Sequence, residues 1–323
     1  MIAPAAERDR APAAETLSSG LVIAAHRRHY IVDLDEGGTL VCMLKGRAMT
    51  LACGDRVRVA RDTQGGVITD IESRSSLLYR SDGFREKLIA ANVTQVLGVV
   101  APDVPVDEHL LNRWILAAET EHCRFVLVVN KSDLPDAREF AARFAYYAAL
   151  GYTVVHVSAA RDIAALRPLI AGQHSVVIGQ SGMGKSTLIN ALLPGAAARI
   201  GEISAALRSG RHTTTSTALY LLPDGAGWIV DSPGMKVFGL AHCSADAIAG
   251  AFVELRELIP RCRFRDCRHD SEPGCAVQAA VASGSVSPHR VLLLQSLLRD
   301  ARATMPVNNC IGRCNRIPQA FSS

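Results

Sequence analysis

The sequence predicts three units in series: a small β-barrel, an open α/β sheet and a mainly helical unit stapled by metal. Three observations carry this reading. Short β-type runs between tight glycine turns fill residues 20–75, strand and helix patterns alternate through residues 76–240, and three cysteines with one histidine cluster inside residues 241–302. Residues 1–19 read as a flexible leader, since alanine, proline and charge alternate there without an apolar period, and residues 303–323 read as a tail.

In the first unit the runs Leu21-Val22-Ile23, Tyr30-Ile31-Val32, Leu40-Val41-Cys42-Met43-Leu44 and Val57-Arg58-Val59 are separated by Gly37-Gly38, Gly54-Asp55 and Gly65-Gly66. Short strands and tight turns at this density point to a closed barrel, with the OB-fold as the leading form. Ser73 to Lys87 is polar and basic and reads as a linker. Gln95 to Val100 and Phe125 to Val129 carry no internal charge, as expected of strands buried on both faces. Between them, Leu110, Leu111, Trp114, Ile115 and Ala118 recur at helical spacing and predict a crossover helix over Glu108 to Glu121. The alternation continues with helices at Glu139 to Leu150, Ile163 to Ile170 and Lys185 to Leu193, and strands at Thr153 to Val157, Ser175 to Ile178, Ala218 to Leu222 and Trp228 to Val230. In the last unit, helices over Ala245 to Leu258 and Pro288 to Arg302 bracket the Cys- and His-bearing loop.

At 323 residues and 49% hydrophobic content, the chain can bury a substantial core, which excludes a predominantly disordered protein. No apolar run reaches the ~20 residues needed to cross a bilayer, and residues 1–20 lack the apolar stretch of a secretory signal, so a soluble cytoplasmic protein is expected. Nine cysteines, an odd number, argue against a secreted disulfide framework and favour metal ligation for any clustered subset. A net charge of +4 permits nucleic-acid binding without requiring it.

Gly179-Gln180-Ser181-Gly182-Met183-Gly184-Lys185-Ser186 fits G-x-x-x-x-G-K-S between a predicted strand and a predicted helix, which is the context a phosphate loop needs. Its glycines let backbone N–H groups turn toward phosphate oxygens, and the following helix adds the positive end of its dipole. Lys185 is then expected at the β- and γ-phosphates and the Ser186 hydroxyl on Mg²⁺, with Thr187 next in the helix. Asn130-Lys131-Ser132-Asp133 follows the strand Phe125 to Val129. A carboxylate at Asp133 can accept from both the N1–H and the exocyclic amine of guanine, a donor pair that adenine lacks. Asn130 can bond the base and the neighbouring loop, and the aliphatic stem of Lys131 can cover a base face. Ser158-Ala159-Ala160, at the end of the next strand, fits the short loop that supports guanine through its backbone.

Asp231-Ser232-Pro233-Gly234 fits the D-x-x-G element that senses a γ-phosphate, with Asp231 serving the Mg²⁺ site through a water and the Gly234 N–H donating to the phosphate. Gly210 to Thr215 supplies hydroxyls for a switch threonine on Mg²⁺, and Thr214 is the favoured one. The five elements occur with the two guanine loops ahead of the phosphate loop. This is the Ras-like order with its last two elements moved to the front, so the sheet is expected to be a circularly permuted P-loop G domain. Cys262, Cys267, His269 and Cys275 form C-x4-C-x-H-x5-C, a closed ligand set suited to one structural Zn²⁺. Arg261, Arg263, Arg265 and Arg268 decorate that loop as either a phosphate-backbone contact or a solvated charged face. Cys310 and Cys314 are unassigned thiols.

With these motifs, together with Ala90-Ala91-Asn92-Val93 at the start of the central domain, the chain resembles the bacterial ribosome-small-subunit-dependent GTPase A family over roughly residues 20 to 300. The resemblance implies an N-terminal OB-fold, a permuted G domain and a C-terminal zinc domain. It also implies a GTPase of late small-subunit maturation, stimulated by that subunit and contacting its rRNA, without membrane association; a monomer is expected. Thr94 stands where the family often has aspartate, and residues 305–323 match no family feature. Met235 follows the D-x-x-G element where Ras-like enzymes carry a water-orienting glutamine, so slow intrinsic hydrolysis is expected. His212 is the candidate for positioning the water, as hypothesised for the matching histidine in this family; a phosphate or RNA contact is its alternative. Two other functions use the same loops: a nucleotide-gated RNA-binding module with negligible turnover, and a permuted GTPase acting on the large subunit.

Overall fold

The computed structural model describes residues 17–26, 29–46, 49–61, 65–81, 86–195, 217–223, 225–231 and 243–304. Five strands open the chain: β1 (Leu17–His26), β2 (His29–Leu34), β3 (Thr39–Leu44), β4 (Arg56–Arg61) and β5 (Gly66–Ile71). β1 is long enough to pair twice, its first half with β4 (Leu17↔Ala60) and its second with β2 (Ala25↔Tyr30), with a bulge between Val22 and Ala24. β2 then pairs β3, β3 pairs β5 in parallel and β5 pairs β4, so the sheet closes on itself. That is the expected five-stranded OB-type barrel, filled by Val22, Val32, Cys42, Val57, Val59 and Ile68. Its first strand begins at Leu17, so residues 17–19 of the expected leader are strand.

Residues 73–87 correct the linker reading. Residues 77–81 and 86–87 of that stretch lie in two paired antiparallel strands, β6 (Leu77–Ser81) and β7 (Glu86–Ala91). The reason is burial: Leu78 and Ile89 face the main core, while the polar residues that suggested a linker share the strand with them.

The central sheet runs β10-β9-β8-β11-β13-β12, comprising β8 (Gln95–Val100), β9 (Arg124–Val129), β10 (Thr153–His156), β11 (His174–Ile178), β12 (Ala218–Leu221) and β13 (Trp228–Asp231). Every neighbouring pair is parallel except the edge pair β12–β13. The chain moves outward from β8 to β10, then returns to the other side of β8 with β11. The direction of winding therefore reverses between β8 and β11, and the crevice at their C-terminal ends is where an open α/β sheet binds ligands. The barrel joins this sheet through the pair Ala24↔Ala218.

The crossover helix α1 (Glu108–Thr120) forms as expected, N-capped by the Asp107 carboxylate, which accepts from Leu110 N at 3.2 Å. The helix expected over Glu139 to Leu150 is two short ones, α2 (Ala137–Ala142) and α3 (Ala145–Ala149). The break at Phe144 lets Phe140, Phe144 and Tyr147 all enter the core, with the two phenylalanine rings 5.1 Å apart. α4 is only Arg167–Ile170, because Pro168 sets its first turn. α5 (Lys185–Leu192) follows the phosphate loop.

The last unit holds α6 (Ala245–Gly250), a single 3-10 turn at Ile259–Arg261, α7 (Ala276–Ala282) and α8 (Pro288–Thr304). The helix expected to reach Leu258 stops at Gly250, where glycine weakens the helical run. α7 was hidden in the predicted loop, being seven residues long and capped by the unusual Cys275 thiol, which accepts from Gln278 N at 3.4 Å. Ile248, Phe252, Leu255, Val277, Leu294 and Leu297 make its core, joined by Leu116 of α1. One helix thus serves two cores.

Candidate nucleotide site and metal centre

The sheet reversal gathers the predicted loops. Asn130 is almost completely buried after β9 and spends its whole amide on neighbours: Nδ2 donates to the Met183 carbonyl at 2.9 Å, and Oδ1 accepts from Ala159 N at 2.9 Å. One side chain therefore locks three loops together. The Ser158 hydroxyl donates to Asp133 at 2.7 Å, Arg161 lies 3.4 Å from the other carboxylate oxygen, and Ser132 N donates to the Val157 carbonyl at 3.0 Å. The Ser158 hydroxyl, followed by the Asp133 backbone N–H and then Arg161, holds the Asp133 carboxyl below the usual range. Asp133 is thus kept ionised, as an acceptor must be.

The phosphate loop, Gly179 to Gly184, runs from β11 into α5. Gly184 caps α5 with φ +86°, and a Cβ there would lie 2.4 Å from Asn130 Nδ2, so no other residue fits the turn. A Cβ on Gly179 would meet the Val99 carbonyl at 2.7 Å. Met183 is fully buried and anchors the loop, while Ser181, Ser186 and Thr187 are exposed at the mouth and on the first turn of α5. The Lys185 ammonium donates to the carbonyls of Gly179 (2.7 Å) and Gln180 (3.0 Å). Burial pushes Lys185 down and Asp231 up from their ordinary values, and each charge offsets the other's shift. A half-buried cation and carboxylate beside the ends of β11 and β13 suit a polyphosphate with its counter-ion.

The loop between β8 and α1, not singled out from the sequence, also belongs here. Lys131 Nζ donates to Asp103 at 2.5 Å and to the Gly182 carbonyl at 2.8 Å, and Asp107 N donates to Gln180 Oε1 at 3.3 Å. Its position at the C-terminal end of a parallel strand was the available signal. His212, Thr214 and Gly234 lie outside the described residues.

Cys262, Cys267, His269 and Cys275 converge, their ligand atoms all within 4.8 Å of one another. Cys262 and Cys275 sulfurs are 4.0 Å apart, and His269 Nδ1 is 3.6 and 3.5 Å from them. A tetrahedral ion with metal–sulfur and metal–nitrogen bonds of zinc length requires about 3.8 Å and about 3.6 Å for these separations, so the donor set fits. His269 takes a left-handed backbone (φ 58°), and its carbonyl accepts from Gln278 (2.6 Å) and Gln295 (2.7 Å), which fixes the backbone that carries the ring. Burial lowers His269, favouring the neutral imidazole a metal needs. Arg261, Arg263, Arg265 and Arg268 are all exposed on this loop.

The barrel, the reversed sheet and the loop set define a circularly permuted P-loop GTPase. A family model described as RsgA GTPase matches residues 71–241. A relative from Paraburkholderia phytofirmans, named small ribosomal subunit biogenesis GTPase RsgA, is 47% identical over 306 residues, covering 90% of this chain and 96% of its own length. A relative of the same name from Nitrosospira multiformis is 44% identical, covering 94% of each chain. The crystal structure of YjeQ from Thermotoga maritima superposes with a TM-score of 0.69 at 28% identity, over 89% of this chain and 99% of that one. YloQ, described as a circularly permuted GTPase, shares the fold with a TM-score of 0.66 at 24% identity, over 93% of this chain and all of its own. The chain belongs to the RsgA GTPase family and is a GTP hydrolase.

Proposed function

We propose that this chain hydrolyses GTP while bound to the small ribosomal subunit, acting late in that subunit's maturation. The observation that carries the reading is the Asn130 amide, which couples a guanine-selective loop to a phosphate loop in one rigid lattice. Asp133 accepts from guanine N1–H and the exocyclic amine, the Lys131 stem covers the base, and the Ser158-Ala159 backbone supports it. Backbone N–H groups of Gly179 to Gly184 and the Lys185 ammonium take the phosphates, with Gln180, Ser181 and Thr187 flanking them. Ser186 and Thr214 would hold Mg²⁺, which neutralises charge on the β- and γ-phosphate oxygens. Asp231 lies beside Lys185 on the adjoining strand, Gly234 donates its N–H to the γ-phosphate, and His212 orients the attacking water. Water attacks the γ-phosphorus, the bond to the β–γ bridging oxygen breaks, and GDP and phosphate leave.

Cys262, Cys267, His269 and Cys275 hold one structural zinc, which staples the C-terminal unit; metal analysis of purified protein finding no zinc removes this assignment. The arginines around it contact rRNA phosphates. The protein acts as a monomer in the cytoplasm, and among the described residues no helix is long and apolar enough to cross a membrane. GTP turnover titrated with purified small and large subunits tests substrate, turnover and partner together. Stimulation by small subunits alone is expected; equal stimulation by both, or by neither, overturns the reading.

A further inference from the structure

We propose that Asp103 is a positioning residue for guanine-nucleotide binding and acts through Lys131. The inference rests on the reading that the Lys131 stem covers the base. Lys131 is one of four non-glycine residues with positive φ among the described residues (φ 59°), a backbone state that a long side chain adopts only when its surroundings impose it. Its ammonium bridges the Asp103 carboxylate at 2.5 Å and the Gly182 carbonyl at 2.8 Å. The hydrocarbon stem is thereby stretched from the guanine loop toward the phosphate loop with its charged end fixed, which leaves a preformed apolar ledge. Without the carboxylate, the ammonium keeps one neutral acceptor and the stem regains its rotamers.

Among the described residues, Asp103 has no comparable structural task. Its side chain is 45% exposed, and an exposed ion pair adds little to folding. The loop that carries it is itself held against the phosphate loop. Asp107 N donates to Gln180, and Val104 lies so close to Gly182 that a Cβ there would meet it at 3.2 Å. The carboxylate therefore sits on a fixed platform, as a positioning group must.

The test measures affinity for a fluorescent GDP analogue and steady-state GTP turnover of the full chain. Asp103→Ala and Asp103→Asn are expected to weaken GDP binding and raise KM by about fivefold, with kcat changed by less than about twofold. Asp103→Glu is expected to recover most of the loss. The deficit should shrink at high salt, where the charge pair is screened, and thermal midpoints should be unaltered. In a Lys131→Ala background Asp103→Ala should do nothing more. Wild-type affinity in Asp103→Ala, or an equal loss with Lys131 absent, overturns the proposal while leaving the Lys131 reading intact. Unchanged binding in Lys131→Ala alone overturns both.

Discussion

At the scale of single residues, the proposed base selection rests on the acceptor pair of one carboxylate. Ser158 and Arg161 keep Asp133 ionised, so it offers acceptors only. Asp133→Asn turns one acceptor into a donor and leaves it facing the guanine amine; xanthine carries a carbonyl at that position. GTP affinity is therefore expected to fall by about a hundredfold or more while xanthosine triphosphate gains, as measured by competition binding. Unchanged GTP affinity would remove Asp133 from base recognition. Water positioning is the second residue-level question. Met235 has a thioether where an orienting amide would be useful, which is why His212 is the residue proposed for the work. His212→Ala is expected to lower subunit-stimulated turnover by about a hundredfold with GTP affinity unchanged. Undiminished stimulated turnover eliminates the role.

At the scale of elements, the loop bearing the cysteine–histidine cluster is organised by Glu272. Its carboxylate accepts from Arg268 N and Asp270 N, both at 2.9 Å, which ties down the segment on either side of His269. The Asp270 and Arg268 N–H groups, in that order, hold Glu272 down to about 2. A glutamate depressed in the folded state adds stability that is present above its ordinary value of 4.5 and is lost as pH falls from there toward about 2. Glu272→Gln should therefore flatten the acid-unfolding profile of this unit within that window, read by circular dichroism against pH. An unaltered profile would show that the loop is held by other groups.

This loop also marks what a sequence can and cannot disclose. The spacing of Cys262, Cys267, His269 and Cys275 was readable because ligand chemistry is local, as were the Gly179 to Ser186 turn and the buried strand β8. The strand pair β6–β7 was not, since Leu78 and Ile89 are buried by a core that folds over them from elsewhere. Nor was Asp103, whose partner Lys131 stands twenty-eight residues away and whose own neighbours Pro102 and Val104 suggest only a turn.

At the scale of the whole molecule, the C-terminal unit is tied to the nucleotide domain at two places. Its chain follows Asp231 at the end of β13, so its covalent link comes from the strand end proposed to sense the γ-phosphate. Its packing is elsewhere. Buried Arg290 of α8 donates to Glu254 at 2.6 Å, bonds Asn112 of α1, and lies 4.5 Å above the Phe252 ring, while Asn112 donates to Tyr147 of α3 at 3.1 Å. His289 meets Glu108 at 2.8 Å, one residue beyond the Asp107 that contacts Gln180. The unit is thus docked on α1 and α3 and joined covalently to the end of β13. If γ-phosphate sensing at Asp231 is transmitted to this unit, the docking contacts are where it registers. Arg290→Met leaves Glu254 buried without its cation and is expected to cost about 3 kcal/mol, most of it recovered by adding Glu254→Leu. Hydrogen exchange of residues 243–304 should differ between the GDP and GTP-analogue states in the native chain. In Arg290→Met the exchange should be fast in both states, with the difference gone. Identical exchange in the two states of the native chain would show that γ-phosphate sensing stops short of the C-terminal unit.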